Sequence, residues 1–253
     1  MPKPPRRRPA LPATTQRFAG FDPGVFRFFA SLKRHNQRRW FEEHRVEYDS
    51  HVRGPMRAFV EELDVRLARL APELLGDPRK SAFRIHRDVR FSADKSPYKT
   101  HAACWFFHHD AGRGVGSEAH GGAGLYFHIE PGQSMLGGGI WMPPKATLDL
   151  IREAIAEHPT ALKQLVEAPA FRRRFGGLSE EAKLTRVPRG FAPDHPAADW
   201  LRLKSFTAGR DLTRDEVLDP KLPDRLEADI RTLLPLVRWL NAAIGFLPAT
   251  SRL

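Results

Sequence analysis

The segment RIHRDVRFSADKSPYKT, residues 84–100, gathers the side chains most able to do chemistry. Three arginines (Arg84, Arg87, Arg90), two lysines (Lys95, Lys99) and two aspartates (Asp88, Asp94) surround one alternating apolar stripe. Guanidinium forks match planar oxyanions, and ammonium groups add point charges. Five cations against two carboxylates leave a local excess of positive charge, which points to a phosphate, sulfate or carboxylate guest. Alternation at period two puts Arg84, His86, Asp88 and Arg90 on one strand face, and Arg87 in phase with Ile85 and Val89 on the apolar side. A guanidinium there needs a carboxylate or an anion, because an unpaired buried charge costs several kcal/mol. Asp88 or Asp94 can serve only if the chain bends; a bound anion is the other solution. A salt-bridged hairpin without a guest is the bland alternative.

Other residues could join such a site. Asp88, Asp94 and Tyr98 are the groups of this segment that could orient its cations or move a proton. His128 shares a strand face with Tyr126 and is a candidate general acid or base if that face is the charged one. Lys204, in LRLKSF, could add a cation or merely lie along an apolar surface. Gly137-Gly138-Gly139 ends a strand without the spacing of a dinucleotide loop, so it reads as close backbone packing beneath Trp141. His108, His109, Asp110 and His120 lack metal-motif spacing, and adjacent strand residues point to opposite faces. No metal and no other cofactor is therefore expected. The single cysteine, Cys104, rules out an internal disulfide and a multi-cysteine zinc site, and its apolar neighbours suit an inert thiol. No G-x-S-x-G elbow is present.

Helices come first among the elements that must hold these residues. Asp22 and Pro23 suit a helix start, with Val25, Phe26, Phe29 and Leu32 on one face. Asn36 is expected to cap a second helix that buries Trp40 and Phe41. Apolar spacing from Val52 to Leu70 predicts a long helix interrupted at Gly54-Pro55. The period then changes to two. Strands are expected over 83–91, over HAACWFFH, over GLYFHIEP and over SMLGGGIWMP, with LRLKSFTAG as a fifth. Residues 83–108 read as a hairpin with a long loop, and residues 110–122 as a glycine-rich loop. Helices follow around Leu148–Ile155, Leu162–Val166 and Leu226–Ile244, the last with a kink at Pro235. The pattern is α+β: an antiparallel meander of four or five strands flanked by N-terminal and C-terminal helices.

Composition sets the remaining limits. With 41% hydrophobic and 28% charged residues, the chain has an ordinary globular composition. No apolar run reaches the ~18 residues of a membrane span, and no signal peptide is evident, so a soluble, cytoplasmic protein is expected. Net charge is +11, of which the proline-rich tail over residues 1–20 carries +5. That tail is expected to stay unfolded, as a nucleic-acid tether or simply as solvated chain. One α+β domain is expected over residues 21–250.

The central run R-I-H-R-D-V-R-F-S-A-D-K-S-P-Y-K-T resembles the signature of a widespread bacterial and fungal family catalogued only as a domain of unknown function. The segments F-F-A-S-L-K-R-H-N-Q-R-R-W-F, G-L-Y-F-H-I-E-P-G, G-G-G-I-W-M-P and V-P-R-G-F-A-P-D-H-P agree in order, so the resemblance spans about residues 20–245. It implies a single domain with no assigned activity. It also implies site positions at Arg84, Arg87, Asp88, Arg90, Phe91, Asp94, Lys95, Pro97, Tyr98 and Lys99. His35 stands where the family usually has an asparagine, beside Asn36. Three functions are compatible with these residues. One is an enzyme-like pocket for a phosphorylated or otherwise anionic small molecule. Another is a nucleic-acid module that stacks bases on Phe91, Tyr98 or Trp105. The third is a scaffold docking an acidic protein. Oligomeric state is left open.

Overall fold

The structure is a computed structural model and describes residues 18–111 and 122–249. Residues 1–17 of the basic tail, and most of the glycine-rich loop including His120, lie outside the described residues.

The chain opens with α1 (Gly24–Arg34), α2 (Arg38–Glu43) and α3 (Arg45–Tyr48). Asp22 accepts the Gly24 N–H at 2.6 Å at the start of α1, and its second oxygen meets His51 Nδ1 at 2.8 Å. The expected break before the long helix takes the form of a π turn over Asp49–Arg53; α4 (Gly54–Leu70) then begins with Pro55 in its first turn. Asn36 does not cap α2, whose N-cap is Gln37. Its amide instead bonds the backbone of Tyr98 in both directions, donating to the carbonyl at 2.9 Å and accepting the N–H at 3.0 Å.

Five strands form one antiparallel sheet in sequence order: β1 (Leu74–Leu75), β2 (Ala102–His108), β3 (Gly124–Ile129), β4 (Met135–Ile140) and β5 (Phe206–Asp211). The α+β meander is thus observed, but its first strand is not residues 83–91. That segment lies irregularly beside residues 97–105, through bridges at Ala82–Cys104 and His86–Tyr98. Hydrogen bonds from Arg87 N–H to Pro97 O (2.9 Å) and from Lys99 N–H to Ile85 O (2.8 Å) hold it there. Past Arg87 the pairing stops, since Pro97 offers no N–H and the following residues fold into local turns. Phe91, expected on the apolar stripe, is 95% exposed.

Between β4 and β5 lie α5 (Lys145–Glu157), α6 (Pro159–Glu167), α7 (Pro169–Phe175) and α8 (Ala198–Leu201). After β5 come α9 (Arg214–Leu218) and α10 (Leu222–Ala243), which runs unbroken through Pro235. One sheet face, with Cys104, Phe106, Leu125, Phe127, Ile129, Leu136, Ile140 and Phe206, is buried in the core. Phe59 of α4 packs on Phe127 at 4.3 Å between ring centroids, and a Cβ on Gly138 would touch Leu233 of α10. The glycine run packs closely, but against β5: Gly139 has φ +123°, and a Cβ there would lie 2.0 Å from Phe206 O. Trp141 does not cover it, being 68% exposed.

Candidate functional site

The opposite sheet face is polar. Register sets Ala103 and Trp105 of β2 against His128 and Tyr126 of β3, and Met135 and Gly137 of β4 beyond them. Period-two alternation leaves Tyr126, His128 and Glu130 in one row on this face. Tyr126 Oη lies 2.9 Å from His128 Nδ1, and His128 Nε2 lies 3.2 Å from Glu130 Oε2. A turn at Pro131-Gly132, with Ser134 Oγ bonded to both the N–H and the carbonyl of Glu130, fixes the end of the row.

The segment entering β2 completes the group. Thr100 Oγ1 donates to Glu130 Oε1 at 3.1 Å. The His101 ring stacks on His128 with centroids 4.5 Å apart and planes 23° apart, and its Nδ1 lies 4.0 Å from Glu130 Oε2. Just outside, Lys99 Nζ stands 5.1 Å over the Phe83 ring, whose edge meets Tyr126 at 6.1 Å. All of these side chains are half-buried.

Burial governs their charge. It pushes the His101 imidazole down to about 4, helped by neighbouring His128 and Lys99 and opposed by Glu130. Burial also lowers His128, against the pull of Glu130. Tyr126 is pushed up to about 12 by burial, then by Cys104 and Glu130. Lys99 is lowered by burial and by Arg84. At neutral pH both imidazoles are therefore uncharged and the phenol keeps its proton. The arrangement can relay a proton along Tyr126, His128 and Glu130, or present lone pairs to a cation.

The expected clamp is only partly assembled. Arg87 does find a carboxylate, because the chain bends: it pairs with Asp94 and reaches Ser92 Oγ at 3.4 Å. Arg90 pairs with Asp88 at 2.7 Å. The Arg90 hydrogen bond leads in drawing Asp88 down to about 2, and the Ser96 hydroxyl and amide lead in lowering Asp94, ahead of Arg87. Both aspartates stay ionised at neutral pH, so they neutralise cations rather than move protons. Lys95 donates to Val89 O at 3.0 Å. Among the described residues, Arg84, Lys95 and Lys99 form no ion pair with a carboxylate. Tyr98 does not face the site. It is 2% exposed and stacks on Phe41 at 4.3 Å, so the core holds its ring. Lys204 does not join either. It is exposed in the turn before β5, its N–H on Ala182 O, with β3 and β4 between it and the charged segment.

His101, Thr100, Tyr126 and Glu130 escaped the sequence reading as site residues. The row 126–128–130 was visible as alternation, but nothing in the sequence shows that Ala103 pairs with His128 and so brings His101 to it. An open depression of about 570 Å³, lined in part by Arg186, His195, Asp199 and Arg202, lies elsewhere. Convergent polar groups of perturbed charge, rather than size, single out the sheet face.

A family model described as "Conserved hypothetical protein (DUF2461)" matches residues 24–239. No curated protein and no solved structure matches the chain.

Proposed function

The chain belongs to that family of conserved hypothetical proteins, whose description assigns no chemistry, and from the site itself we propose that it binds, and acts on, a small anionic molecule such as a phosphate ester. Arg84 and Lys99 are the cations that receive the guest, and the row of Tyr126, His128 and Glu130 with His101 is the reacting end. The observation that carries this reading is the position of Lys99. Its ammonium is partly desolvated beside a second cation, Arg84, and close to the uncharged His101 imidazole. An anion placed there relieves the repulsion and restores the charge–charge contact that burial has removed. Arg87 and Arg90 are already neutralised internally and the Lys95 ammonium is turned onto Val89 O, which narrows the clamp from five cations to Arg84 and Lys99.

The test is a thermal-shift panel of phosphorylated metabolites and inorganic phosphate. Binding raises the melting temperature of the native protein by a few degrees at ligand concentrations well above Kd. Lys99→Ala and Arg84→Ala abolish the shift, while Arg90→Ala keeps it. No shift in the native protein, or equal shifts in all three variants, overturns the proposal.

One observation favours a second reading, nucleic-acid binding. Phe91 projects into solvent with the Arg90 guanidinium 5.8 Å from its ring centre, the pairing that stacks on bases. Tyr98 is buried and Trp105 half-buried, so Phe91 would act alone. Binding of single-stranded oligonucleotides that weakens steeply with salt and disappears in Phe91→Ala would move the assignment to this reading.

A further inference from the structure

We propose that His101, His128 and Glu130 form a site for a first-row divalent transition-metal ion, of the zinc or ferrous class. The proposal deepens the anionic-substrate reading, since it rests on the same sheet face.

Geometry comes first. One donor atom from each residue lies within 4.8 Å of the other two: His128 Nε2 at 3.2 Å and His101 Nδ1 at 4.0 Å from Glu130 Oε2. Metal–ligand bonds of about 2.0–2.2 Å set neighbouring donors roughly 3–3.5 Å apart. Only His101 must move: a small approach, and a turn about its Cβ–Cγ bond that lifts the stacked ring out of parallel so that Nδ1 aims where His128 Nε2 aims. Two imidazoles and a carboxylate suit zinc or iron; magnesium and calcium prefer all-oxygen shells.

Supporting contacts come next. Ligating histidines donate their other N–H to a partner, and ligating carboxylates are themselves hydrogen-bonded. His128 Nδ1 has the Tyr126 hydroxyl at 2.9 Å, and a phenol can accept from that nitrogen as readily as donate to it. This frees Nε2 as a lone pair. Glu130 Oε1 is held by Thr100 Oγ1, leaving Oε2 for the ion. The ladder between β2 and β3 fixes the two donor segments against each other.

The other histidine cluster in the described residues, His108, His109 and Asp110, shows the contrast. His108 is fully buried, with Nε2 on Leu247 O at 2.9 Å and Nδ1 accepting the Asp110 N–H at 3.2 Å. Both of its nitrogens serve the backbone, which makes it a clamp between chain segments. In the proposed site the one contact the ion replaces, His128 to Glu130, is between two of its own ligands. Three protein donors leave coordination positions open for a guest, and Lys99 lies near His101 with Arg84 beside it. A cation there adds to their positive field and draws the same anionic guest. His128 then serves as a ligand, and the reacting end works by polarising the guest rather than by proton transfer through that ring.

The experiment uses the full chain, stripped with a chelator and titrated with Co²⁺ in phosphate-free buffer. Visible d–d absorption reports ligation, and calorimetry with Zn²⁺ gives the stoichiometry. One equivalent is expected to bind. His101→Ala and Glu130→Gln weaken binding at least tenfold, Tyr126→Phe weakens it by about tenfold, and His109→Ala leaves it unchanged. No stoichiometric uptake by the native chain overturns the proposal, as does uptake unchanged in Glu130→Gln or lost in His109→Ala. Glu130→Gln keeps the side-chain shape, so its result decides if His101→Ala fails to fold. Running the phosphate-ester panel on the stripped and the Zn²⁺-loaded protein separates the two claims. Metal uptake without any anion shift sinks only the anionic-substrate reading; an anion shift without metal uptake sinks only the metal site.

Discussion

Asn36 shows how much one side chain can decide. Its amide satisfies both the N–H and the carbonyl of Tyr98, 62 residues away, and so ties the segment bearing Lys99 to the end of α1. Asn36→Ala leaves two partly buried backbone groups unpaired. A loss of about 2 kcal/mol is expected, read as a lower urea midpoint with an unchanged slope. A substitution that leaves the midpoint in place would show that water replaces the amide. The residue's polarity and position beside a helix were legible, and they suggested a cap; its true partner was not, because no local pattern encodes a contact 62 positions distant. Arg87 teaches the same lesson. The sequence reading required a carboxylate or a guest for it, and the requirement is met by Asp94. The bend that permits this is built from Ser92, Ser96 and Pro97, whose turn chemistry is local but whose direction is set by the chain they fold against.

At the scale of elements, regular periodicity was informative and irregular pairing was not. β2, β3 and β4 fall where alternation and apolar runs predicted them, because each buries one face in the core; β5 begins five residues later than the expected LRLKSFTAG strand, since Leu201 ends α8 and residues 202–205 form the connection. Residues 83–91 alternate as well, yet they form only isolated bridges. Alternation reports which side chains could share a face, not whether a partner strand offers hydrogen bonds along the whole length; here the partner contains Pro97. The polar row along and just past β3 was visible in part, since Tyr126, His128 and Glu130 share a parity, but the approach of His101 to it depends on register between strands. β4 carries a sharper constraint. Gly139→Ala must adopt φ +123° and place a methyl 2.0 Å from Phe206 O. A loss of roughly 2–4 kcal/mol is expected, with a melting temperature several degrees lower. Gly132→Ala, at φ +85° but with nothing within 4 Å of its Cβ, should cost less.

For the whole molecule, the governing fact is a basic chain whose internal carboxylates are held by arginines. Arg210 bonds Glu216 at 2.8 Å and the buried Asp229 at 2.9 Å, and Arg174 reaches Asp229 from the other side, joining α7, β5, α9 and α10. Burial alone would raise the Glu216 carboxyl; the Arg210 guanidinium and the Thr213 N–H bring it below its ordinary 4.5. Glu227 is also lowered, chiefly by Arg231. A carboxylate whose folded pKa lies below its unfolded value contributes stability above the unfolded value and loses it as pH falls through the folded one. The melting temperature should therefore hold from pH 7 to about 5 and fall below about 4.5, where the chain, already +11, gains further positive charge. Glu216→Gln should lower stability at pH 7 and flatten that acid limb. A native curve that stays level down to pH 3 would contradict this account of the network.

The grip on Tyr98 has one more implication. Asn36 holds its backbone and Phe41 stacks on its ring, while Trp40, between them in sequence, lies face to face with His44 at 4.0 Å. Lys99 follows Tyr98 directly, so a guest that pulls on its ammonium tugs on the same bolt that anchors the indole's surroundings. If the proposed anion binds at Lys99, it is expected to shift the emission of Trp40, seen against the four other tryptophans of the chain; a Trp40→Phe variant that keeps the whole spectral change would assign it elsewhere.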